Sequence, residues 1–330
     1  MQLNEQMTYR LVDASDTAGL MDLWTQTEWG QPPADLRKWF NANPCPGSFV
    51  MVAQDATGLL VGQIIMMAAT VFAKDRELSA MFAVAPIIGR TLRDAPRVAD
   101  PRRHPVVELY QHAVLEAQAR GVALIYSMPN VKWLGLFHRL PGIRYATFPL
   151  WSATLPLSRL ESVGEGYTVS RLIAWDERVD RLWAAASRAY GCAVGRNARV
   201  LQWKLALTGL YLVLAVERDD ELVGLVAAHT RESGQWTVCD LLAADLEDSL
   251  RATLRATCNF GHVYSLMPNL KHPIKKVSIL VTPALQEAAV SLGFVRDDYD
   301  FLLVVRTLDP TISPDAVAPE RWYVSINDHG

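Results

Sequence analysis

Cysteine is scarce. Four occur in 330 residues, at Cys45, Cys192, Cys239 and Cys258, with no Cys-x-x-Cys pair and no histidine at ligand spacing. That argues against a disulfide framework and against a zinc site, so no metal is expected, and the thiols read as small buried hydrophobes. Long basic runs are missing too, and the net charge is only -3, which argues against nucleic acid as a partner. Unbroken apolar runs are short: Leu59–Ala73 is interrupted by Gly62, Gln63 and Thr70, too little to span a bilayer. The first residues, MQLNEQMTYR, lack a basic region followed by an apolar stretch, so a cytoplasmic location is the default expectation. What is present is half apolar and one-fifth charged residues. That is the makeup of a globular chain with ample core, long enough for two domains.

The two halves can be laid over each other. Tyr9-Arg-Leu-Val precedes apolar positions Leu20, Leu23 and Trp24, and Tyr167-Thr-Val-Ser precedes Val179, Leu182 and Trp183. Both read as a strand followed by an amphipathic helix. A tryptophan (Trp39, Trp203) then precedes an apolar strand, Ser48–Gln54 or Tyr211–Glu217. Turn residues Asp55-Ala-Thr-Gly58 and Asp219-Asp220 lead to matching text, Leu60-Val61-Gly62 and Leu222-Val223-Gly224, which predicts a hairpin in each half. Further on, Ile125-Tyr126-Ser127-Met128-Pro129-Asn130 resembles Val263-Tyr264-Ser265-Leu266-Met267-Pro268-Asn269. Each is read as a short buried strand after a helix (Val106–Arg120; Leu246–Cys258), with a further helix and a strand to follow (Phe148–Leu155; Phe301–Val305). Pro156–Gly166 reads as a linker. The tail from Asp309 ends in an alternating Trp322-Tyr323-Val324-Ser325-Ile326 that predicts an added strand.

This order of elements resembles the GNAT (acyl-CoA N-acyltransferase) fold, twice over. The fold expectation is therefore α/β with a mixed sheet: two tandem GNAT-like domains, 1–156 and 166–306, each a twisted central sheet flanked by helices, followed by a tail, 307–330. The resemblance implies acetyl-CoA or a longer acyl-CoA as co-substrate and a small-molecule amine as acceptor. In that family backbone N–H groups of a glycine-rich loop and a helix N-terminus hold the donor pyrophosphate. Here both glycines are missing, and Arg102-Arg103-His104-Pro105 stands at the helix start, Pro105 at its first position. Arg90, Arg93, Arg97, Arg102 and Arg103 place five arginines in fourteen residues, able to clamp phosphates by forked hydrogen bonds. The second half has Asp245, Glu247 and Asp248 instead, which would repel a phosphate. The first half is therefore expected to hold the donor, with the strand around Phe82, Ala83 and Val84 against the pantetheine and Asn130 and Phe137 beside it.

Phe137 stands where the family carries a tyrosine that protonates the departing thiolate, and Ala289 takes that place in the second half. The expected substitutes are His138 and Tyr145, with Glu77 as a possible base. Glu28 would receive the acceptor amine and Trp29 would wall it, from the loop after the first helix. Asp328 would fold back into a cleft between the halves. Met66 and Met81 supply adaptable apolar surface suited to a longer acyl chain or a hydrophobic acceptor. Direct attack of a neutral amine on the thioester is the expected reaction. A catalytically silent binder, and a transferase using another donor such as aminoacyl-tRNA, are the alternatives; monomer and homodimer both remain open.

Overall fold

The computed structural model describes residues 7–27, 30–74, 76–90, 104–137, 140–155, 162–206, 209–231, 234–266 and 274–328, apart from the side chains of residues 35, 132, 136 and 231. The chain separates into two compact units. The first comprises 1–71, 77–145 and 304–314; the second comprises 72–76, 146–303 and 315–330. This differs from the boundaries expected above, because the last strand of each sequence half completes the sheet of the other unit. A duplicated text shows which segments are strands, but pairing is non-local and is decided only by packing.

The first unit runs β1 (Thr8–Leu11), α1 (Thr17–Thr25), α2 (Ala34–Asn41), β2 (Phe49–Gln54), β3 (Leu60–Ala73), β4 (Arg76–Ile88), α3 (Pro105–Ala119), β5 (Leu124–Ser127), α4 (Leu134–Phe137) and the start of β6 (Ile143–Thr154). Its sheet order is β1-β2-β3-β4-β5, closed by residues 304–307 of a late strand antiparallel to β5. The β2–β3 turn forms as its residues dictate. Asp55 accepts from the N–H groups of Thr57 (2.9 Å) and Leu59 (3.0 Å), and Gly58 takes φ +88, a left-handed angle that glycine adopts without strain. β3 buries both faces. Gly62 lies against Leu109 of α3, where an added Cβ would sit 3.4 Å from the leucine. By the two-residue period of a strand, Ile64 and Met66 share that face.

The second unit runs β7 (Tyr167–Arg171), α5 (Glu177–Ala189), β8 (Cys192–Val194), α6 (Ala198–Leu201), β9 (Leu212–Arg218), β10 (Glu221–Arg231), β11 (Gln235–Ala243), α7 (Asp248–Ser265), β12 (Lys276–Leu280), α8 (Pro283–Ser291), β13 (Val295–Thr307) and β14 (Trp322–Tyr323). Its sheet order, β7-β9-β10-β11-β12-β6, repeats that of the first unit. In both, the fourth and fifth strands are parallel and the fifth is antiparallel to a sixth from the other sequence half. The β9–β10 turn puts Asp219 (φ +51) and Asp220 (φ +63) in the left-handed region, the backbone of a type I′ hairpin. α5 buries Val179, Leu182, Trp183 and Ala186 at helical spacing, and its Trp183 meets Phe72 edge to face at 5.1 Å. One expectation is overturned. Val263-Tyr264-Ser265 is the last turn of α7 and not a strand: Tyr264 packs on Trp236 and Phe260 at 5.3 and 5.8 Å. The fifth strand is instead Lys276–Leu280, whose last four residues are buried.

Candidate functional site

In the first unit β4 and β5 lie side by side only from Ala80–Phe82 against Leu124–Tyr126. β5 then stops at Ser127 while β4 runs on to Ile88, so β5 offers the backbone of Ala83–Ile88 no ladder partner. Ala83, Val84 and Ala85 are half-buried and Pro86 is exposed, between buried Phe82 and Ile87. The β4 edge is thus open where the strands part. Ala85 holds φ +48 in mid-strand, a conformation disfavoured for a residue with a Cβ and concentrated at functional positions. Phe82 and Tyr126 stack at 5.2 Å where the pairing ends, both buried. An open edge of this kind presents unpaired strand N–H and C=O groups to an extended amide-containing ligand.

α3 begins where expected. His104 is its N-cap and accepts from the Val106 N–H (3.3 Å) through Nδ1; Pro105 opens the helix. The His104 carbonyl accepts from Val107 and Glu108. With those donors engaged, α3 offers an anion its positive dipole end more than free N–H groups. Arg102 and Arg103 lie outside the described residues, as do Arg93 and Arg97. So do Glu28, Trp29 and His138. Gln26 and Thr27, which lead into that loop, are placed: the Gln26 Oε1 accepts from Arg90 N–H (3.0 Å) just beyond β4, tying the start of the loop to the end of β4.

The remaining candidates lie on several elements. Glu77 is exposed five residues before Phe82, about 17 Å along an extended strand from the opening. Tyr145 is 38 % exposed on β6, Asn130 is exposed after β5, and Phe137 is buried in α4. Met66 and Met81 are core residues beneath α3. Met66 shares the Gly62 face, and Met81 pairs with Ile125, next to Arg306, whose guanidinium lies 5.8 Å from the Tyr110 ring of α3. Gln63 escaped the sequence reading. It is 2 % exposed on the opposite face of β3, and its amide nitrogen has no partner among the described residues; a lone Gln inside an apolar strand was the available signal.

Asp328 requires a correction. It is buried in the second unit at 1 % exposure, where Oδ1 accepts from Lys204 Nζ (3.0 Å) and Oδ2 accepts from Arg196 and from the Ser325 N–H (3.0 Å). Burial opposes its charge, but Arg196 and Lys204 overcome that and pull its pKa down to about 2. A carboxylate so committed is no free base. Arg196, 1 % exposed, also donates through Nε to Asp240 (2.9 Å) and lies 4.9 Å over the Tyr323 ring. This network joins residues 44 to 132 positions apart, and nothing in the local sequence announces it.

No protein-family model matches the chain, and no curated protein matches it in sequence. Solved structures do. A GCN5-related N-acetyltransferase from Kribbella flavida aligns over 92 % of this chain and 72 % of its own, with TM-score 0.63 and 14 % identity. One from Anabaena variabilis aligns over 92 % and 73 %, with TM-score 0.69 and 10 % identity. A conserved Enterococcus faecalis protein described as a probable N-acyltransferase aligns over 91 % and 72 %, with TM-score 0.64 and 10 % identity. The chain has the GNAT fold. At such identities the likeness establishes the fold alone.

Proposed function

We propose that the protein is an N-acyltransferase that takes an acyl group, most simply acetyl, from coenzyme A and passes it to the amine of a small molecule. One observation supports this above the rest: the half-open β4 edge from Ala83 to Pro86, parted from β5 and followed by the N-terminus of α3. Strand N–H groups at Ala83 and Val84 would bind the pantetheine amides and polarise the thioester carbonyl. Preorganised donors aimed at developing negative charge commonly supply the largest part of acyl-transfer catalysis. Arg102 and Arg103, with His104 at the helix start, would hold the phosphates. The amine, in neutral form, would attack the thioester carbon directly; the C–S bond breaks and the thiolate leaves as coenzyme A once protonated. Holding both reactants in line supplies much of such a rate without a covalent enzyme intermediate. Glu28 and Trp29 would receive the acceptor. His138 and Tyr145 are the candidates for returning the proton.

A second reading, a silent acyl-CoA binder, is favoured by buried Phe137 and by buried Ala289 in α8, neither of which can donate a proton where the family pattern has tyrosine. Calorimetric titration with acetyl-CoA, followed by thiol release on adding an amine panel, separates the two. Binding that weakens at least tenfold in Arg102→Glu/Arg103→Glu, with amine-dependent thiol release, is the result expected of the enzyme. Binding without release supports the binder. Absence of binding at millimolar acetyl-CoA overturns both.

A further inference from the structure

The second unit has the same parting of strands, and it is full. β11 and β12 pair from Gln235–Val238 against Lys276–Ile279, after which β11 continues to Ala243 paired with β10 but not with β12. A bulge lies at Cys239, where the β10 register shifts between Ala227 and Ala228. Yet Cys239 through Ala243 are each no more than 2 % exposed, whereas Ala83–Ala85 are half-buried and Pro86 is exposed. The difference is the C-terminal segment. Tyr323, Val324, Ser325 and Ile326 line one side of the small cavity whose other walls are Val238–Leu241, Ile279, Leu280 and Leu285.

We propose that Trp322–Asp328 is a peptide ligand held in cis: the β11/β12 parting is a peptide-binding groove, and the chain's own C-terminal segment is its occupant. The contacts are those of a bound ligand. The Tyr323 hydroxyl donates to the Leu241 carbonyl, satisfying a strand acceptor that β12 leaves free. Its ring stacks on Tyr190 at 4.0 Å. Trp322 and Tyr323 pair alongside β8 as a parallel strand, and Gly191 permits the approach, since a Cβ there would lie 3.1 Å from the Arg321 carbonyl. At the far end, Asp328 closes an ionic clasp with Arg196 and Lys204, and Asn327 donates to Asp240 (3.4 Å). The start of α7 is self-filled too. Asp245 accepts from the N–H groups of Glu247 (2.9 Å) and Ser249 (3.1 Å), placing a carboxylate where an outside anion would otherwise dock. Likening this groove to the donor site of the first unit rests on the reading above; the peptide site itself does not.

The test uses the full-length chain with a protease site inserted at the exposed Ser313-Pro314-Asp315 stretch and cut after folding. At neutral pH the cut segment stays with the body through gel filtration. Displaced in mild denaturant, it leaves a body with its far-ultraviolet circular dichroism intact. A synthetic peptide of residues 315–330 then rebinds saturably, and the same peptide carrying Asp328→Asn rebinds at least tenfold more weakly. In the uncut chain, Asp328→Asn raises hydrogen exchange at 239–243 by tenfold or more. Loss of cooperative folding when the segment leaves, equal rebinding of the Asp328→Asn peptide, or unchanged exchange would each overturn the proposal. Acetyl-CoA that binds neither form bears on the donor reading alone.

Discussion

Asp328 shows how one buried charge sets a measurable property of the whole. Its pKa, lowered to about 2 by Arg196 and Lys204 against the cost of burial, lies below the unfolded value of about 3.9. A depressed carboxylate contributes stability that is complete above the unfolded value and lost as pH falls toward the folded one. The contribution is about 2–3 kcal/mol, so unfolding followed by tryptophan fluorescence should show stability falling between about pH 4 and 2, with that slope reduced in Asp328→Asn. Arg196→Met should cost about 3–5 kcal/mol, because it removes the guanidinium that two buried carboxylates share. Gly224 makes a steric statement at the same scale. A Cβ there would collide with the Thr253 hydroxyl of α7, so Gly224→Ala should cost roughly 1–3 kcal/mol. Thermal melts should show that loss largely recovered in Gly224→Ala/Thr253→Ala. The matched Leu-Val-Gly text placed Gly224 on a hairpin strand, whereas its partner Thr253, 29 positions away, was invisible.

At the scale of elements, the hairpins, α1, α3 and α5 were legible, since each depends on residues within a few positions: Asp55 and Gly58 at one turn, Asp219 and Asp220 at the other, His104 and Pro105 at a helix start. The end of α7 was not. Val263-Tyr264-Ser265 and Ile125-Tyr126-Ser127 read alike, yet one closes a helix and the other is a buried strand. The difference lies in what they pack against: Tyr264 finds Trp236 and Phe260, and Tyr126 finds Phe82. Local text does not encode that choice. The turns carry a prediction. Asp219-Asp220 already has the type I′ backbone, and replacing Asp220 by glycine removes the strain of φ +63. The relief of a left-handed residue outweighs glycine's extra unfolded-state entropy only slightly, so stability should rise by less than about 1 kcal/mol, read as a higher midpoint in urea with an unchanged slope. Thiol chemistry follows burial in the same way. Cys192, Cys239 and Cys258 are buried and Cys45 is not, and burial pushes the Cys192 thiol upward. A thiol reagent should therefore label Cys45 in the native protein and the other three only on unfolding.

For the molecule as a whole, the sequence declared two copies of one fold but not the exchange of final strands. Residues 304–307 finish the first sheet beside β5 and residues 146–154 finish the second beside β12. Cutting the chain at the linker should therefore not release two independent domains. Residues 1–156 and 166–330 expressed separately should each lack a cooperative melt, and recover it on mixing. The same duplication poses the functional question most sharply, since one parting of strands is open and its counterpart is filled by Tyr323–Ile326. The order of most elements and the arginines were legible in the residues; only the fold shows the edge from Ala83 to Pro86 half-exposed and that from Cys239 to Ala243 covered. The direct measurement is hydrogen exchange of the intact chain with and without saturating acetyl-CoA. Protection confined to residues 82–88 and the first turns of α3, with 238–243 unchanged, is the predicted result. New protection at 238–243, or none at 82–88, would contradict it.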